Sequence, residues 1–365
     1  MRIGVNALYL IPGEVGGTEI YLRHLMRAMS EIDSEDAFFV FTNRETGRDL
    51  LPESRRFHWV PQEVAARFRP ARLVWEQTLL PAGCMDLRLD VLLNPGFTAP
   101  IAAPCPQVTV FHDMQHKRQP ENFRWFDLPF WRFFLWAAAH RSEQLIADSD
   151  SGRDDLLKFY RINPEKVTVA PLGVDPEFFQ IAKRRDPKPY LLAVSTLHPH
   201  KNLDRLLVAF AQFRKEAPQF RLVITGLKGF HTEHLEELRA GLGLRDWAEF
   251  TGWIAREELY GLFAGAHAFV YPTRFEGFGL PVLEAMAAGI PLACSNIEPV
   301  ATVAGDAALQ FDPENPDEMV EALRRIVGDE ELRRRLSRAG PERAKEFSWA
   351  RTARLTLACL SRAAE

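Results

Sequence analysis

Residues 271–291 have the sequence YPTRFEGFGLPVLEAMAAGIP, and they overlap an apolar segment, Ala268–Tyr271, that predicts a buried strand. A helix is expected to begin at Pro281, because proline suits the first helical position, where no amide donor is lost. The helix should end at Gly289, since glycine is favoured at helix C-termini. A second short strand is predicted over residues 291–294. In an α/β sheet this order directs the helix N-terminus toward the carboxyl edge of the strands, where ligands bind.

Two carboxylates flank this glycine loop. Glu276 precedes the predicted helix and Glu284 lies about one turn inside it, with a side chain that leans toward the N-terminus. Both can reach one ligand at the helix start, where free amides favour phosphate. Because carboxylates repel phosphate, the two glutamates are suited to neutral hydroxyls, and the pattern predicts a nucleotide sugar. An ordinary strand–turn–helix with two solvated glutamates remains the alternative.

Composition limits the classes of protein that this chain can represent. Its 365 residues exceed one simple core and indicate two domains, while 47% apolar and 26% charged residues are ordinary for a globular protein. The net charge is −4 and neither half of the chain is basic, which argues against a nucleic-acid partner. The four cysteines form no CxxC pair, and no signal peptide or membrane-spanning segment is evident. These features predict a cytoplasmic protein with reduced thiols.

The chain contains two successive α/β patterns. The first opens with a predicted strand, Arg2–Leu10, then a glycine loop and an amphipathic helix over residues 18–29, whereas residues 42–70 look irregular. The second opens with a strand at Tyr190, after a charged, proline-containing segment, residues 182–189, that suits a linker. We therefore predict two Rossmann-like, doubly wound domains that face a cleft. Their predicted bounds are 1–180, together with a tail helix over 348–365, and 190–347.

Residues 107–111 form another predicted strand, and it runs directly into His112 and Asp113. Two titratable groups are thereby expected at the ligand edge of the first sheet.

An aromatic segment over residues 122–139 leaves two interpretations open. It predicts either a helix packed in the core and interrupted by Pro129, or an element that contacts a membrane surface or the acceptor. Arg67, Arg69 and Arg72 form a second, weaker candidate for an anionic surface.

Residues 276–289, EGFGLPVLEAMAAG, closely resemble the family 4 retaining glycosyltransferases, whose EX7E motif Glu276 and Glu284 match. Further segments resemble that family in the same order along the chain: residues 16–19, 112–113, 148–156, 171–175, 194–203 and 347–353. The resemblance covers nearly the whole chain. It implies a GT-B architecture in which the last helix packs back on the first domain.

The resemblance also implies roles for individual residues. Glu284 would accept hydrogen bonds from the nucleotide ribose, Glu276 would lie near hydroxyls of the transferred sugar, and Lys201 would neutralise the donor diphosphate. His112 would lie beside the reacting sugar, and Trp253 near the nucleobase. The loop residues implied to line the donor are Gly16, Gly17, Gly277, Phe278, Gly279 and Leu280.

One position departs from the family pattern. Thr196 stands where many members have an arginine on the phosphates, and the sequence around it resembles bacterial mannosyltransferases. Arg274 or His200 could then supply the second phosphate cation. His198 and His200 form an HxH pair without a third ligand nearby, so no metal site is expected.

These features predict a retaining, metal-independent glycosyltransferase that needs no cofactor. It would move a hexose, best matched by mannose, from a GDP- or UDP-linked donor to a glycan or lipid-linked acceptor in cell-envelope polysaccharide synthesis. A peripheral position at the inner membrane face is compatible with such an acceptor. A GT-B nucleotide-sugar epimerase or phosphorylase, and a non-catalytic nucleotide-sugar-binding protein, are the alternatives.

Overall fold

The computed structural model describes residues 1–365. The chain forms two compact units. The first unit contains Met1–Gly173 and Ser348–Glu365, and the second contains Val174–Phe347.

The first unit contains a seven-stranded sheet in which every neighbouring pair is parallel. Its strands are β1 (Arg2–Asn6), β2 (Ala37–Thr42), β3 (Phe57–Pro61), β4 (Val91–Asn94), β5 (Gln107–Phe111), β6 (Gln144–Ala147) and β7 (Val167–Val169). Its helices are α1 (Gly17–Glu31), α2 (Arg69–Asp86), α3 (Gln115–Arg118), α4 (Leu128–Arg141), α5 (Asp150–Tyr160) and α14 (Trp349–Ala364).

The second unit contains a six-stranded sheet that is also parallel throughout. Its strands are β8 (Tyr190–Val194), β9 (Arg221–Thr225), β10 (Ala248–Gly252), β11 (Ala268–Tyr271), β12 (Leu292–Ser295) and β13 (Leu309–Phe311). Its helices are α6 (Glu177–Ile181), α7 (Leu203–Phe213), α8 (Thr232–Gly241), α9 (Arg256–Gly265), α10 (Leu280–Ala287), α11 (Val300–Ala304), α12 (Pro316–Gly328) and α13 (Glu330–Ala344).

Both sheets have the strand order of a doubly wound fold. The first runs β3-β2-β1-β4-β5-β6-β7 and the second β10-β9-β8-β11-β12-β13. The order reverses between β1 and β4 in one sheet and between β8 and β11 in the other. Loops that leave such a pair of strands lie side by side at the carboxyl edge, which is where open α/β sheets bind ligands.

The last helix belongs to the first unit, as the sequence predicted. Trp349 at the start of α14 stacks on His24 of α1, with 5.2 Å between ring centroids. Thr352 donates from Oγ1 to the Pro171 carbonyl over 2.6 Å. Gly173 cannot be replaced without movement, because a Cβ there would lie 2.1 Å from the Trp349 amide nitrogen.

The predicted linker over residues 182–189 is wrong, and the boundary lies before it. Phe178 of α6 is fully buried, with its ring centroid 4.9 Å from that of Phe263. Arg185 donates to the carbonyls of Gly289 (2.6 Å) and Ala266 (2.5 Å). Charge and proline content resembled a linker, but these long-range contacts fix the segment to the second unit.

Two further predictions are wrong. Residues 42–70 are not irregular throughout, because they contain strand β3. Only its first residue, Phe57, is buried, so the sequence of this strand lacks the alternation of apolar and polar residues that predicts a strand. Pro129 does not interrupt the aromatic helix but lies in the first turn of α4, where proline is tolerated.

Candidate active site

The loop between β11 and α10 lies where the sequence placed it. Strand β11 has the predicted bounds, and α10 begins at Leu280, one position before the predicted Pro281. Gly279 precedes the helix with φ +99°, a conformation that favours glycine. The first intrahelical bond is donated by the Val282 amide to the Gly279 carbonyl (3.0 Å), so the helix does not use the amides before Val282. This terminus therefore has the donors and dipole that favour an anion.

Lys201 lies in the loop after β8, and Glu276 in the loop after the neighbouring strand β11. The Lys201 Nζ atom is 2.6 Å from Glu276 Oε1, and both side chains are largely buried. Tyr271 also donates from its hydroxyl to Glu276 Oε1 over 2.7 Å. The topological switch point of the second sheet thus brings together two residues that the sequence predicted separately.

Asn202 fixes the Lys201 loop to its neighbours. This residue is fully buried with φ +58°, and its side-chain amide donates to the carbonyls of Pro272 (3.0 Å) and Pro313 (2.9 Å). The Arg274 amide and the Thr273 hydroxyl both donate to the His200 carbonyl, over 2.8 and 3.1 Å. The position of Lys201 is therefore set by backbone contacts and does not depend only on the ion pair with Glu276.

Glu284 is buried in α10, 4% exposed, and faces Arg256 of α9. Burial raises the pKa of the Glu284 carboxyl to about 7, although the Arg256 charge opposes this shift. A carboxylate inside the first turns of a helix whose N-terminus attracts phosphate has the arrangement expected for a ribose acceptor.

The other predicted donor residues of the second unit have more varied surroundings. Trp253 is 64% exposed in the loop after β10, while Phe278 is buried against Phe347 with ring centroids 5.8 Å apart. Arg274 forms an ion pair with Glu314 (2.8 Å), and its role beside a donor phosphate stays a prediction. Three further predicted residues are partly buried: Thr196 in the loop after β8, Gly277 in the loop after β11, and Leu280 at the start of α10.

In the first unit, His112 follows β5 as predicted, and its ring is held on both sides. Its Nδ1 lies 2.8 Å from Asp148 Oδ2 and its Nε2 lies 2.9 Å from the Pro95 carbonyl oxygen. Both partners accept hydrogen bonds, so this arrangement favours an imidazole that is protonated on both ring nitrogens. Burial lowers the pKa of His112, but the charge and hydrogen bond of Asp148 and the Pro95 carbonyl outweigh it and raise the pKa above its ordinary value.

We expect ring-nitrogen NMR to show His112 doubly protonated at neutral pH. Because its pKa is raised, the stabilisation from Asp148 is complete below about pH 6.5, the usual value for histidine, and is lost as pH rises through the folded pKa. Asp148→Asn should lower the pKa of His112, whereas the exposed control Asp154→Asn should not. A neutral His112 at pH 6.5 in the unmodified protein would contradict this assignment.

Gly16 and Gly17 begin α1 in the loop after β1, at the switch point of the first sheet. Gly16 has φ +60°, and a Cβ atom on either glycine would meet no heavy atom within 4 Å. The backbone at this terminus is thus open to a close approach by a ligand.

Sequence reasoning missed the residues that hold the site in place. Tyr271, Asn202 and Asp148 each contact a predicted residue, and Arg256 faces Glu284. Two of these residues had a local signal in the sequence. Asn202 directly follows Lys201, and Asp148 directly follows strand β6, which lies next to β5 in the sheet. No group of three or more His, Cys, Asp or Glu side chains is arranged to hold a metal ion.

Two family models match the chain, one to each half. Glycosyltransferase Family 4 matches residues 15–178, and Glycosyl transferases group 1 matches residues 174–343. The MMP alpha-(1->4)-mannosyltransferase of Mycolicibacterium hassiacum is 32% identical over the whole chain and 98% of that enzyme. The chain belongs to glycosyltransferase family 4. It is therefore a glycosyltransferase.

Other similarities of this family 4 glycosyltransferase are more distant. O-antigen chain mannosyltransferase B of Escherichia coli is 28% identical over 66% of each chain. Two solved structures share the fold across 99% of this chain: HepE of Anabaena with UDP and glucose (TM-score 0.77, 18% identity, 99% of that chain) and sucrose-phosphate synthase of Thermosynechococcus elongatus (TM-score 0.79, 19% identity, 98%). These likenesses confirm the GT-B architecture.

Proposed function

We propose that this glycosyltransferase moves mannose, with retention of anomeric configuration, from a nucleotide diphosphate donor to a hydroxyl of a glycan or lipid-linked acceptor in envelope polysaccharide synthesis. The observation that carries the proposal is the placement of Lys201 and Glu276, 2.6 Å apart, on neighbouring switch-point loops, the second of which leads into α10 and Glu284. The mannosyltransferases of Mycolicibacterium and Escherichia coli support the choice of sugar. The proposed donor nucleotide is GDP or UDP; the structure of HepE, which shares the fold, was solved with UDP and glucose.

In the proposed step, the bond between the anomeric carbon and the diphosphate oxygen breaks while the acceptor oxygen bonds to the same face of that carbon. The departing phosphate oxygen takes the acceptor proton. Lys201 and the N-terminus of α10 stabilise the charge that develops on the diphosphate. Glu276 receives hydrogen bonds from Lys201 and Tyr271, so it orients the sugar and does not act as a nucleophile.

His112 serves the same step from the first unit in this proposal. Asp148 and the Pro95 carbonyl engage both ring nitrogens of His112, so this proposal gives it no role in removing a proton from the acceptor. Its buried ring favours a role in orienting the reacting sugar. In this proposal the second unit binds the donor.

A donor panel tests this function. The protein is incubated with GDP- and UDP-linked sugars, with and without bacterial envelope lipids, and nucleoside diphosphate release and sugar identity are measured. We expect release from one donor, strongly stimulated by acceptor lipid, with GDP-mannose as the first candidate. Accumulation of a new sugar epimer without acceptor would identify an epimerase, and binding without release would identify a non-catalytic protein.

We further propose a peripheral contact with the inner face of the cytoplasmic membrane. An aromatic patch in the first unit consists of Trp125, Phe126, Phe130, Phe133 and Trp136, each between 40% and 84% exposed. The core-packed interpretation of this segment is therefore wrong for these rings, although Leu135 and residues 137–139 are buried. None of the helices is long and apolar enough to cross a bilayer.

The charge around the aromatic patch favours an anionic lipid surface. Arg124, Arg132 and Arg141 are exposed beside it, and Asp127 is already near Arg69, 3.7 Å away. Exposed rings that insert at the headgroup level, with cations alongside, are the features of an interfacial helix.

Vesicle sedimentation tests this contact. We expect the protein to bind vesicles that contain phosphatidylglycerol more tightly than vesicles of phosphatidylcholine alone, and less tightly at high salt. Replacing Phe130, Phe133 and Trp136 together by serine should weaken partitioning more than tenfold, because burying each large apolar side chain contributes about 1.5–3 kcal/mol. Phe230→Ser, an exposed control in the second unit, should leave partitioning unchanged. Equal partitioning of the triple variant would overturn the proposed contact.

A further inference from the structure

A chain of side-chain contacts in the second unit ends at Glu284 and is not explained by the donor roles above. Asp175, just before α6, lies 3.1 Å from Arg256 of α9 and accepts a hydrogen bond of 2.5 Å from Tyr260. Arg256 in turn places its Nη1 atom 3.6 Å from Glu284 Oε1. Asp175 and Arg256 are 81 residues apart in sequence, so the fold alone brings this chain together.

Arg256 is held in one orientation. Its Nε atom donates to the Tyr260 hydroxyl over 3.0 Å, and its Nη2 atom donates to Asp175. The guanidinium carbon also lies 5.2 Å from the centroid of the Phe178 ring, within the range of a cation–π contact. Because Nε and Nη2 are bonded to Tyr260 and Asp175, the Nη1 atom is the part of the guanidinium that faces Glu284.

The distance between Arg256 and Glu284 decides what the arginine can do there. At 3.6 Å the contact is longer than a hydrogen bond, so Arg256 acts on the carboxylate chiefly through its charge. The lone pairs of Glu284 are consequently left for other donors. A buried carboxyl without a nearby cation would take up a proton, and a protonated carboxyl accepts fewer hydrogen bonds.

We infer that Arg256, fixed by Asp175 and Tyr260, is a positioning residue whose charge faces Glu284 and favours its carboxylate form, so that both carboxylate oxygens can accept hydrogen bonds from a vicinal diol. The diol is that of the nucleotide ribose, and this identification rests on the proposed function.

The charges that face Glu284 agree with this inference. Arg256 lowers the pKa of Glu284, whereas burial and the Asp175 carboxylate raise it, and the Tyr271 hydroxyl at the end of β11 also interacts with it. Burial lowers the pKa of Arg256, but Glu284, Tyr260 and Asp175 raise it by more, so the guanidinium remains charged. Although burial raises the pKa of Asp175, its hydrogen bonds and Arg256 lower it below the ordinary range, so the group that holds Arg256 also remains charged.

The first test measures Glu284 in the protein without ligand. Carboxyl-carbon NMR should give a pKa near 7 for Glu284 in the unmodified protein, a higher value in Arg256→Gln, and a value close to the unmodified one in Arg256→Lys. Arg245→Gln, which removes an exposed arginine of the same unit, should have no effect. An unchanged pKa in folded Arg256→Gln would overturn the inference, whatever the protein binds.

The second test measures GDP and UDP binding by calorimetry from about pH 5.5 to about pH 9, a range that covers the titration of a raised carboxyl. Affinity should rise with pH as Glu284 ionises, and Arg256→Gln should move the midpoint upward by about one unit while high-pH affinity recovers. Glu284→Gln should remove the part of the pH dependence that Arg256→Gln shifts. If Arg256→Gln weakens nucleotide binding equally at every pH, Arg256 contacts the ligand directly, and the inference is overturned. Failure of the unmodified protein to bind either nucleotide would instead overturn the proposed function.

Discussion

Lys201→Ala is expected to lower kcat by roughly 2–4 kcal/mol of barrier, about thirty- to a thousand-fold, as for other fixed donors that stabilise developing charge. Lys201 is largely buried and its position is set by the Asn202 contacts, so no other lysine can replace it. Because the negative charge on the diphosphate grows as the sugar leaves, the loss should fall mainly on kcat and less on KM for the donor.

The measurement is steady-state release of nucleoside diphosphate with the donor and acceptor found in the panel. Lys215→Ala removes an exposed lysine of the same unit and should keep the rate of the unmodified protein. Thermal unfolding of both variants separates a folding defect from a catalytic one. A Lys201→Ala enzyme that retains full kcat would show that the diphosphate charge is stabilised elsewhere.

Glu276→Ala should cause the second large loss, on the order of a hundred-fold in kcat/KM. The substitution removes the partner of Lys201 and of the Tyr271 hydroxyl, which otherwise share one carboxylate oxygen. It also removes the group proposed to orient the transferred sugar. Since Lys201 and Glu276 are in contact, the double alanine variant should lose less activity than the product of the two single losses.

Glu276→Gln separates orientation from charge, because glutamine retains the shape and one acceptor oxygen. It should keep more activity than alanine does. Intact-protein mass spectrometry after mixing with donor should show no glycosyl adduct on the unmodified enzyme. An adduct would identify a covalent nucleophile, and a Glu276→Ala enzyme with full rate would remove Glu276 from the mechanism.

The sequence predicted the elements whose signals are local. Strand β11 was predicted with its bounds, and α10 within one residue of its start, because an apolar segment, a glycine loop and an early proline follow one another. His112 was predicted at the end of β5 for a similar reason. The contacts that hold these groups were missed because they join distant segments: Lys201 and Glu276 are 75 residues apart, and Arg256 and Asp175 are 81 apart.

The core-packed interpretation of the aromatic segment was wrong for its exposed rings, for another physical reason. A helix that is apolar on all sides is normally buried, and composition alone cannot show which rings the fold covers. In the structure the buried residues of α4, Leu135 and residues 137–139, lie in its C-terminal half, while Phe133 is 52% exposed. The supposed linker over residues 182–189 failed because Arg185 uses its charge to bind carbonyls of the second unit.

The most direct test is a crystal structure of the protein with GDP or UDP. We expect the diphosphate to contact Lys201 and the backbone amides at the start of α10, and both ribose hydroxyls to donate to Glu284. A diphosphate bound away from Lys201, or a ribose that does not touch Glu284, would contradict the proposed donor site.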